Sequence, residues 1–184
     1  MRNRPDKALL QRAKRFEPAA LEEIFDLYSQ GIYRYAFRLL GDAELARECM
    51  SETFSRFLEA LRRDSGPDNY LQAYLYRIAH NWVTDSYRSK VPPSLPLDLD
   101  IQADSSYDPQ HALAGNWTSE QVRAALALLT PDQRHVIVLR FLEGMDTSEI
   151  AQALGKPVGA IKALQHRGLE ALRRIMAQNK DNPV

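Results

Sequence analysis

Hydrophobic residues recur at helical spacing in the first half of the chain. One apolar stripe runs from Leu21 to Leu39, a second from Leu45 to Leu61, and a third from Leu71 to Trp82. Gly41 and the Ser-Gly-Pro turn at 65–67 separate the three stripes, since both sequences end helices. This pattern predicts three amphipathic helices joined by short connections, which pack as a compact helical bundle.

Helix-start sequences dominate the last third of the chain. Residues 118–121 and 130–133 each begin with Thr and end with Gln, the form of a capping box, and residues 146–149 begin with Asp and end with Glu. The helix that begins near Asp146 is short and ends at Gly155. A longer helix follows, from about 157 to 176. A short helix, a glycine-containing turn and a longer helix are typical of a helix-turn-helix unit.

The segment between these halves has a different composition. Four prolines keep it from forming helices, and it carries four acidic residues but no Lys or Arg; these acidic residues are Asp98, Asp100, Asp104 and Asp108. The sequence therefore predicts an extended acidic linker, in the simplest interpretation a solvated spacer. The expected fold class is all-α, with two small helical domains at 1–90 and 118–184 and the linker at 91–117.

Composition excludes several classes of protein. The chain has 184 residues, 45% of them apolar and 26% charged, which is ordinary globular composition. No apolar run approaches the roughly 18 residues of a membrane-spanning helix, and the basic N-terminus lacks a signal-peptide core, so we expect a cytoplasmic protein with no membrane insertion. With a single cysteine and no Cys/His cluster at metal-ligand spacing, we expect no intrachain disulfide, metal or cofactor.

Candidate catalytic chemistry is missing from the sequence. It contains no paired carboxylates, nucleophile–base arrangement or glycine-rich phosphate loop, and so we expect no enzymatic activity. The net charge is zero, and bulk charge therefore gives no sign of nucleic-acid binding. The distribution of charge is more informative than its sum.

The last helix separates apolar from cationic residues. At about 100° per residue, its apolar side includes Ile161 and Leu172, whereas the opposite side carries Lys162, Ala163, His166 and Arg173, with Arg167 at the edge. Such a helix could enter a DNA major groove, with its cations on phosphates and base edges. An ordinary solvated amphipathic helix would look the same.

A second polar surface is predicted on the third helix of the first half. Five residues project within about 40° of one another: Tyr70, Arg77, Asn81, Thr84 and Arg88. Together with Tyr74, these side chains suit phosphates and unpaired bases. Polar residues of the preceding loop could line a pocket for an extruded base: Asp64, Ser65, Asp68 and Asn69. The alternative is that the tyrosines lie at a packing boundary, that the arginines are solvated, and that the loop is an ordinary turn.

The order of these motifs resembles a known family. Residues 46–54 (ARECMSETF) are similar to its A-E-D-L-V-Q-E-T-F, and 71–81 (LQAYLYRIAHN) to its F-R-A-W-L-Y-R-I-A-R-N. Residues 129–134 resemble L-P-P-R-Q-R, 149–151 read E-I-A, and 159–167 resemble G-T-V-K-S-R-L-H-R. The chain therefore resembles a bacterial sigma factor of the extracytoplasmic-function (ECF) group, within the sigma-70 family, over residues 17–90 and 118–176.

This resemblance implies a function and its residues. The first domain would be region 2 and the second region 4, with no region 3 domain between them. Region 4 would read minus-35 duplex through Lys162, Ala163, His166, Arg167 and Arg173. Region 2 would capture the melted minus-10 element through Asp64, Ser65, Asp68, Asn69, Tyr70, Arg77, Asn81 and Arg88. Core polymerase would bind through Glu48, Ser51, Glu52 and Phe54.

The implied partners are the RNA polymerase core (the beta-prime clamp helices and the beta subunit), promoter DNA and an anti-sigma protein. The chain departs from the family at Glu48 for Asp, Ser51 for Gln, Tyr74 for Trp and His80 for Arg. The linker would thread toward the polymerase cleft and RNA exit channel, where its negative charge could occupy a path built for RNA.

Two rival interpretations share part of this pattern. A self-sufficient helix-turn-helix regulator would have the second domain but would not need the motifs of the first. A sigma-like decoy that titrates an anti-sigma protein would keep the packing faces and could lose the outward cations, which are present here. The sequence leaves open whether the two domains pack together in the free protein, and it predicts flexible tails at 1–15 and 177–184.

Overall fold

The computed structural model describes residues 3–90 and 119–180, with side chains at 7–87 and 121–177. The first domain contains helices α1 (Asn3–Lys14), α2 (Pro18–Leu40), α3 (Ala43–Arg62) and α4 (Leu71–Lys90). The second contains α5 (Ser119–Ala127), α6 (Pro131–Ile137), a π-helix (Val138–Leu142), α7 (Thr147–Leu154) and α8 (Val158–Lys180). The all-α class is confirmed over these residues. The predicted linker and the predicted cap at Thr118 lie outside them.

Helix ends in the first domain follow the sequence signals. Gly41 ends α2 in the left-handed conformation, with φ of 70°, and its N–H donates to the carbonyl of Phe37. The carboxylate of Asp42 then accepts from the N–H groups of Glu44 and Leu45 and so begins α3. Together these two residues reverse the chain between α2 and α3, which allows the helices to pack against each other along their lengths.

The second domain contains two complete capping boxes. At the start of α6, Gln133 N–H donates to Thr130 Oγ1 at 3.4 Å, and Thr130 N–H donates to Gln133 Oε1 at 3.3 Å. At the start of α7, Asp146 and Glu149 exchange the same two bonds at 2.8 Å each. Gly155 ends α7 with φ of 64°. These caps fix the turn between α7 and α8, and the helix-turn-helix prediction agrees with the geometry.

The expectation of a flexible N-terminal tail is wrong. Residues of this tail form α1, which packs on α2, α3 and α4. Leu9, Leu10 and Ala13 are buried in the core of the first domain. They occupy one side of the helix, and burial of their apolar surface stabilises it. The charged residues between them had suggested a solvated segment. At the other end of the chain, α8 continues to Lys180 rather than ending near Met176.

The helix-turn-helix is supported by a close crossing of α6 and α8. Gly168 of α8 is buried, and a Cβ placed on it would lie 2.9 Å from Cγ1 of Ile137. Only glycine permits this approach without a shift of Ile137. The contact holds the back of α8 against α6, which leaves the opposite side of α8 to face outward.

The two domains pack against each other. Their main contact is between α4 and α7, and α2 adds contacts to α5 and the π-helix. Arg123 of α5 lies over the ring of Phe37 in α2, 5.8 Å from the ring centroid. Across residues 3–90 and 119–180, no helix is both long and apolar enough to cross a membrane.

Candidate nucleic-acid interface

The cationic side of α8 faces solvent. Lys162 and Ala163 are exposed, and His166, Arg167 and Arg173 are partly exposed. His166 Nδ1 lies 3.7 Å from Glu170 Oε2, one turn along the helix. On the opposite side, Ile161 and Leu172 are buried. The division predicted from the sequence is therefore present, and the outward side offers positive charge on a single helix.

The loop before α4 is exposed and tightly turned. Asp64 and Tyr70 both have positive φ, at 51° and 55°, and the loop residues Asp64, Ser65, Asp68, Asn69 and Tyr70 are all exposed. Ser65 N–H donates to the carbonyl of Ala60 at 2.9 Å, which folds the loop back on α3. The structure thus brings the predicted loop residues to one end of α4.

Helix α1 contacts this loop through an ion pair. Lys14 Nζ lies 2.6 Å from Asp68 Oδ1. The ammonium and its hydrogen bond lower the pKa of Asp68. Lys14 had no role in the sequence analysis because α1 was expected to be a tail, and its sequence contains no motif that could have revealed this pairing.

The strip along α4 is exposed at Arg77 and Asn81, and the second domain engages it at Arg77. Arg77 lies at the end of α7, where its Nε donates to the carbonyl of Gln152 at 2.9 Å and its Nη2 donates to the same oxygen. Carbonyls at a helix C-terminus carry partial negative charge, which favours this contact. Asn81 is exposed, and Thr84 donates to the carbonyl of His80 at 2.8 Å. The side chain of Arg88 lies outside the described residues.

The predicted polymerase-docking residues lie along α3. Glu48 and Ser51 are exposed, and Glu52 accepts from Arg56 Nε at 2.7 Å. Phe54, expected to be the apolar anchor, is only 8% exposed. The ring of Phe25 in α2 packs on it, with centroids 4.8 Å apart, and is itself 44% exposed.

Exposed apolar side chains beside this surface were missed by the sequence analysis. Phe25, Leu27 and Leu58 are the large apolar residues that reach solvent on α2 and α3. Phe25 had been assigned to the buried stripe of α2, because helical spacing locates a side but not its burial. Of these, Phe25 contacts Phe54 of α3, so it adds exposed apolar surface beside the predicted docking residues.

A buried carboxylate joins the two domains. Glu143 follows the π-helix, and its side chain is 2% exposed. Arg38 Nη1 donates to its Oε1 at 2.5 Å, while Tyr76 Oη and Arg34 Nη2 donate to its Oε2 at 3.0 and 3.5 Å. Burial raises the pKa of Glu143, and the hydrogen bond from Tyr76 and the two arginines oppose that rise. We call this arrangement the Glu143 clasp.

The π-helix determines where Glu143 points. A π-helical turn contains one residue more than an α-helical turn, and one residue is about 100° of rotation around the axis. Glu143 therefore faces α2 and α4 instead of the direction that a continuous α6 would give it. Sequence spacing counted at 3.6 residues per turn could not have placed this residue at the domain contact.

Two family comparisons agree with this two-domain structure. Residues 24–91 match the family Sigma-70 region 2, and residues 119–172 match the family Sigma-70, region 4. The ECF RNA polymerase sigma factor SigW of Bacillus subtilis is 31% identical over 180 residues, and the match covers 91% of this chain and 95% of SigW. The chain belongs to the sigma-70 family. The ECF resemblance noted in the sequence is thereby confirmed.

Other sigma factors match over most of the chain. BldN of Streptomyces coelicolor, also an ECF RNA polymerase sigma factor, is 31% identical over 173 residues; the match covers 91% of this chain but 64% of BldN. SigX of Bacillus subtilis is 27% identical, with 83% of this chain and 81% of SigX covered. These relatives match both domains in the same order.

Solved sigma-factor structures share the fold. CnrH, solved with the cytosolic domain of CnrY, has a TM-score of 0.72 at 20% identity and covers 95% of this chain and 98% of its own. RpoE of Bartonella quintana, solved with the anti-sigma factor NepR, has a TM-score of 0.65 at 20% identity and covers 85% and 96%. At this level of identity the likeness supports the fold of the sigma-70 domains.

Proposed function

We propose that this chain is an RNA polymerase sigma factor that binds core polymerase and directs promoter-specific initiation. The observation that carries the proposal is that both sigma-70 regions occur in order, each with a polar surface at the predicted position. A free-standing helix-turn-helix regulator leaves the first domain unexplained. The proposed activity is recruitment and strand capture, without covalent chemistry or a cofactor.

Core polymerase binds, in this proposal, to the exposed surface of α2 and α3. Glu48, Ser51 and Glu52 contribute polar contacts to the beta-prime clamp helices, as the resemblance implies. Because Phe54 is nearly buried, Phe25 supplies the apolar surface that reaches the partner. An apolar centre with a charged edge is the usual composition of a protein–protein interface.

Region 4 reads the minus-35 element as duplex. The outward residues Lys162, Ala163, His166, Arg167 and Arg173 lie along α8, whose width suits the major groove. The support for this step is the exposure of Lys162 and Ala163 and the cationic character of the surface around them.

Region 2 captures the minus-10 element as it opens. The loop residues Asp64, Ser65, Asp68, Asn69 and Tyr70 lie at the start of α4, and Arg77, Asn81 and Arg88 follow along the helix. Binding only the unpaired strand shifts the duplex toward the open form by differential affinity. Tyr70 is 42% exposed, so it can stack on a base.

The remaining parts of the proposal concern organisation and partners. We assign region 2 to residues 1–90, the linker to 91–117 and region 4 to 118–184. The linker lies toward the polymerase cleft, an anti-sigma protein controls access to the factor, and the protein acts in the cytoplasm. The RpoE structure, which has a similar fold, contains the anti-sigma factor NepR, and this supports the anti-sigma assignment by analogy.

The direct test is run-off transcription with purified core polymerase on a fragment library from the source genome. Discrete new start sites that require this chain are the expected result, and they would also define both promoter elements. A chain that fails to support new start sites and does not co-elute with core polymerase would overturn the proposal.

A pair of variants tests the duplex contact. Lys162→Ala removes an outward cation of α8, and we expect holoenzyme binding to minus-35 duplex to weaken by about 1 kcal/mol and its salt slope to fall by about one unit. The control Arg63→Ala removes an exposed cation at the end of α3 in the other domain, where it pairs with Glu59, and should change neither quantity. Equal losses in the two variants would contradict the assigned face.

A further inference from the structure

A histidine pair lies in the contact between the two domains. His135 of α6 is 2% exposed. Its Nδ1 lies 2.7 Å from Tyr35 Oη of α2 and 3.3 Å from His80 Nδ1 of α4. The two imidazole rings meet edge to face, with centroids 4.4 Å apart. His135 belongs to region 4, whereas Tyr35 and His80 belong to region 2.

The hydrogen bonds of this cluster fit a neutral His135. Tyr35 Oη and His80 Nδ1 both approach the same nitrogen of His135. A neutral imidazole nitrogen without hydrogen accepts a bond, whereas in a protonated ring both nitrogens donate. If both histidines were protonated, two N–H groups would face each other at 3.3 Å inside the domain contact.

We propose that the cluster of His80, His135 and Tyr35 makes the packing of the two domains acid-sensitive, so that the chain opens as the pH falls from neutral toward 5.5. Opening separates α4 from α7 and releases the guanidinium of Arg77 from the carbonyl of Gln152. The opening itself concerns the free chain; its consequence for promoter binding rests on the proposed function.

Other charges around the pair oppose an added proton on balance. From region 4, Arg134 and Lys156 act against protonation of His135, and Lys156 also acts against His80; Asp132 favours a charged His80. From region 2, the ionisable neighbours of Tyr35 are Cys49, Tyr76 and Tyr87, and region 4 adds Glu143. Burial holds the pKa of Tyr35 well above its usual value, so this phenol stays neutral.

The direction of the pH effect follows from the two histidines. Burial first, then the charge of His80, lowers the pKa of His135 to about 3, and burial lowers the pKa of His80. When the domains separate, both rings return toward the ordinary value of about 6.5. The open form therefore binds more protons below pH 6.5, and each histidine shifts the equilibrium toward it by up to about tenfold per pH unit.

The Glu143 clasp has the opposite, smaller tendency. Burial raises the pKa of Glu143, so the packed form holds a proton on this carboxyl more readily than the open form. That effect begins nearer to the ordinary carboxyl value of about 4.3. Between pH 6.5 and 5.5 the histidines therefore decide the sign.

The test is fluorescence energy transfer between the domains of the full free chain. Ser55→Cys on α3 and Arg174→Cys on α8 provide exposed labelling sites, while Cys49 is buried. We expect transfer to fall from pH 7.5 to 5.5, with at least a tenfold change in the ratio of packed to open chains and unchanged helical circular dichroism. Constant transfer, or a loss of helix that accompanies the change, would overturn the proposal.

Two further measurements separate the pair from other acid effects. A chain with His80→Gln and His135→Gln should lose the pH response, whereas His166→Gln, which alters the partly exposed histidine of α8, should keep it in this DNA-free assay. In the unsubstituted chain, the NMR signal of His135 should titrate together with the loss of transfer and below pH 6.5. A double variant that responds like the original, or an ordinary His135 midpoint, would refute the inference.

No polymerase or DNA is present in these assays. A chain that opens in acid but never supports transcription would contradict the proposed function and leave this inference intact. The reverse result, transcription from a chain whose packing ignores pH, would leave the function and remove the inference.

Discussion

The two candidate DNA surfaces, one on α4 and one on α8, differ in what their side chains contact. Lys162 and Ala163 of α8 are exposed. Arg77 of α4 is also exposed, but its guanidinium donates to the carbonyl of Gln152 near the end of α7, and α7 packs along the same helix. The comparison teaches that an exposed arginine on a helix is not by itself available to a ligand, because another domain of the same chain can accept its hydrogen bonds.

The difference has a physical origin in the contacts of each helix. Helix α8 packs on α5, α6 and α7 of its own domain with one side, and Lys162 and Ala163 on its other side are exposed. Helix α4 carries Tyr76, which donates to Glu143 of the other domain. The helix that carries the predicted minus-10 strip therefore also contributes to the Glu143 clasp.

Removing the Glu143 clasp should abolish the difference between the two surfaces. Glu143→Ala leaves Arg34 and Arg38 without their buried partner. We expect the packed form to lose about 2 kcal/mol, a roughly 30-fold shift toward the open chain, since both arginines are partly solvated. Energy transfer between the domains and binding of a single-stranded minus-10 oligonucleotide report the two consequences.

The control for the clasp is Glu44→Ala, which removes an exposed carboxylate that pairs with Arg47 within α3. This variant should leave both measurements unchanged. Duplex binding by α8 should be the same in all three proteins, because its outward cations lie away from the clasp. Tighter oligonucleotide binding without a change in energy transfer would mean that domain packing does not restrain Arg77, and would contradict the comparison.

A substitution in the contact between α8 and α6 should disturb the DNA surface of α8 without changing the surface of α4. Gly168→Ala places a Cβ 2.9 Å from Ile137 Cγ1, and the resulting shift of α8 against α6 should cost about 1.5 kcal/mol of region 4 stability. Gly159→Ala, in the same helix, meets no atom within 4 Å and should be neutral or stabilising. Urea unfolding of the two variants checks both signs; equal stabilities would show that α8 and α6 are not held by this contact.

The smallest expected effect concerns the ion pair between α1 and the loop before α4. Lys14→Ala removes the partner of Asp68, and the pKa of that carboxyl should rise toward its ordinary value, since the ion pair is what lowers it. The stabilising effect of this pair is present above the ordinary carboxyl pKa and is lost as the pH falls through the lowered value. Carboxyl NMR chemical shifts measure the change.

Overall stability should hardly respond to Lys14→Ala, because the side chain of Asp68 is 86% exposed. High salt should remove whatever difference remains between this variant and the original chain. An unchanged Asp68 pKa would mean that α1 does not hold the loop.

Much of the helical framework could be predicted from the sequence. Gly41, Asp42, Thr130 and Asp146 act where their types and spacing indicated, because caps are local interactions. The residues of the candidate surfaces could also be assigned to helix faces. Such predictions need only the geometry of one helix at a time.

The rest depended on contacts between distant segments. Helix α1 is stable because Leu9 and Leu10 pack into a core formed by other helices. No local sequence pattern reveals that packing. Glu143 reaches α2 and α4 because a π-helical turn precedes it, and His135 looked like any polar residue near a helix start. Domain packing, and with it the contact between Arg77 and Gln152, depends on these contacts between distant segments.

The position of Cys49 makes its thiol a probe of local opening in the first domain. Cys49 is fully buried between α3 and α4, where its Sγ lies 3.8 Å from the carbonyl of Ala79, and burial raises the pKa of its thiol to about 12. A protonated, inaccessible thiol does not react with alkylating or oxidising reagents. The chain has no other cysteine. The rate at which a thiol reagent modifies Cys49 therefore measures how often α3 and α4 separate.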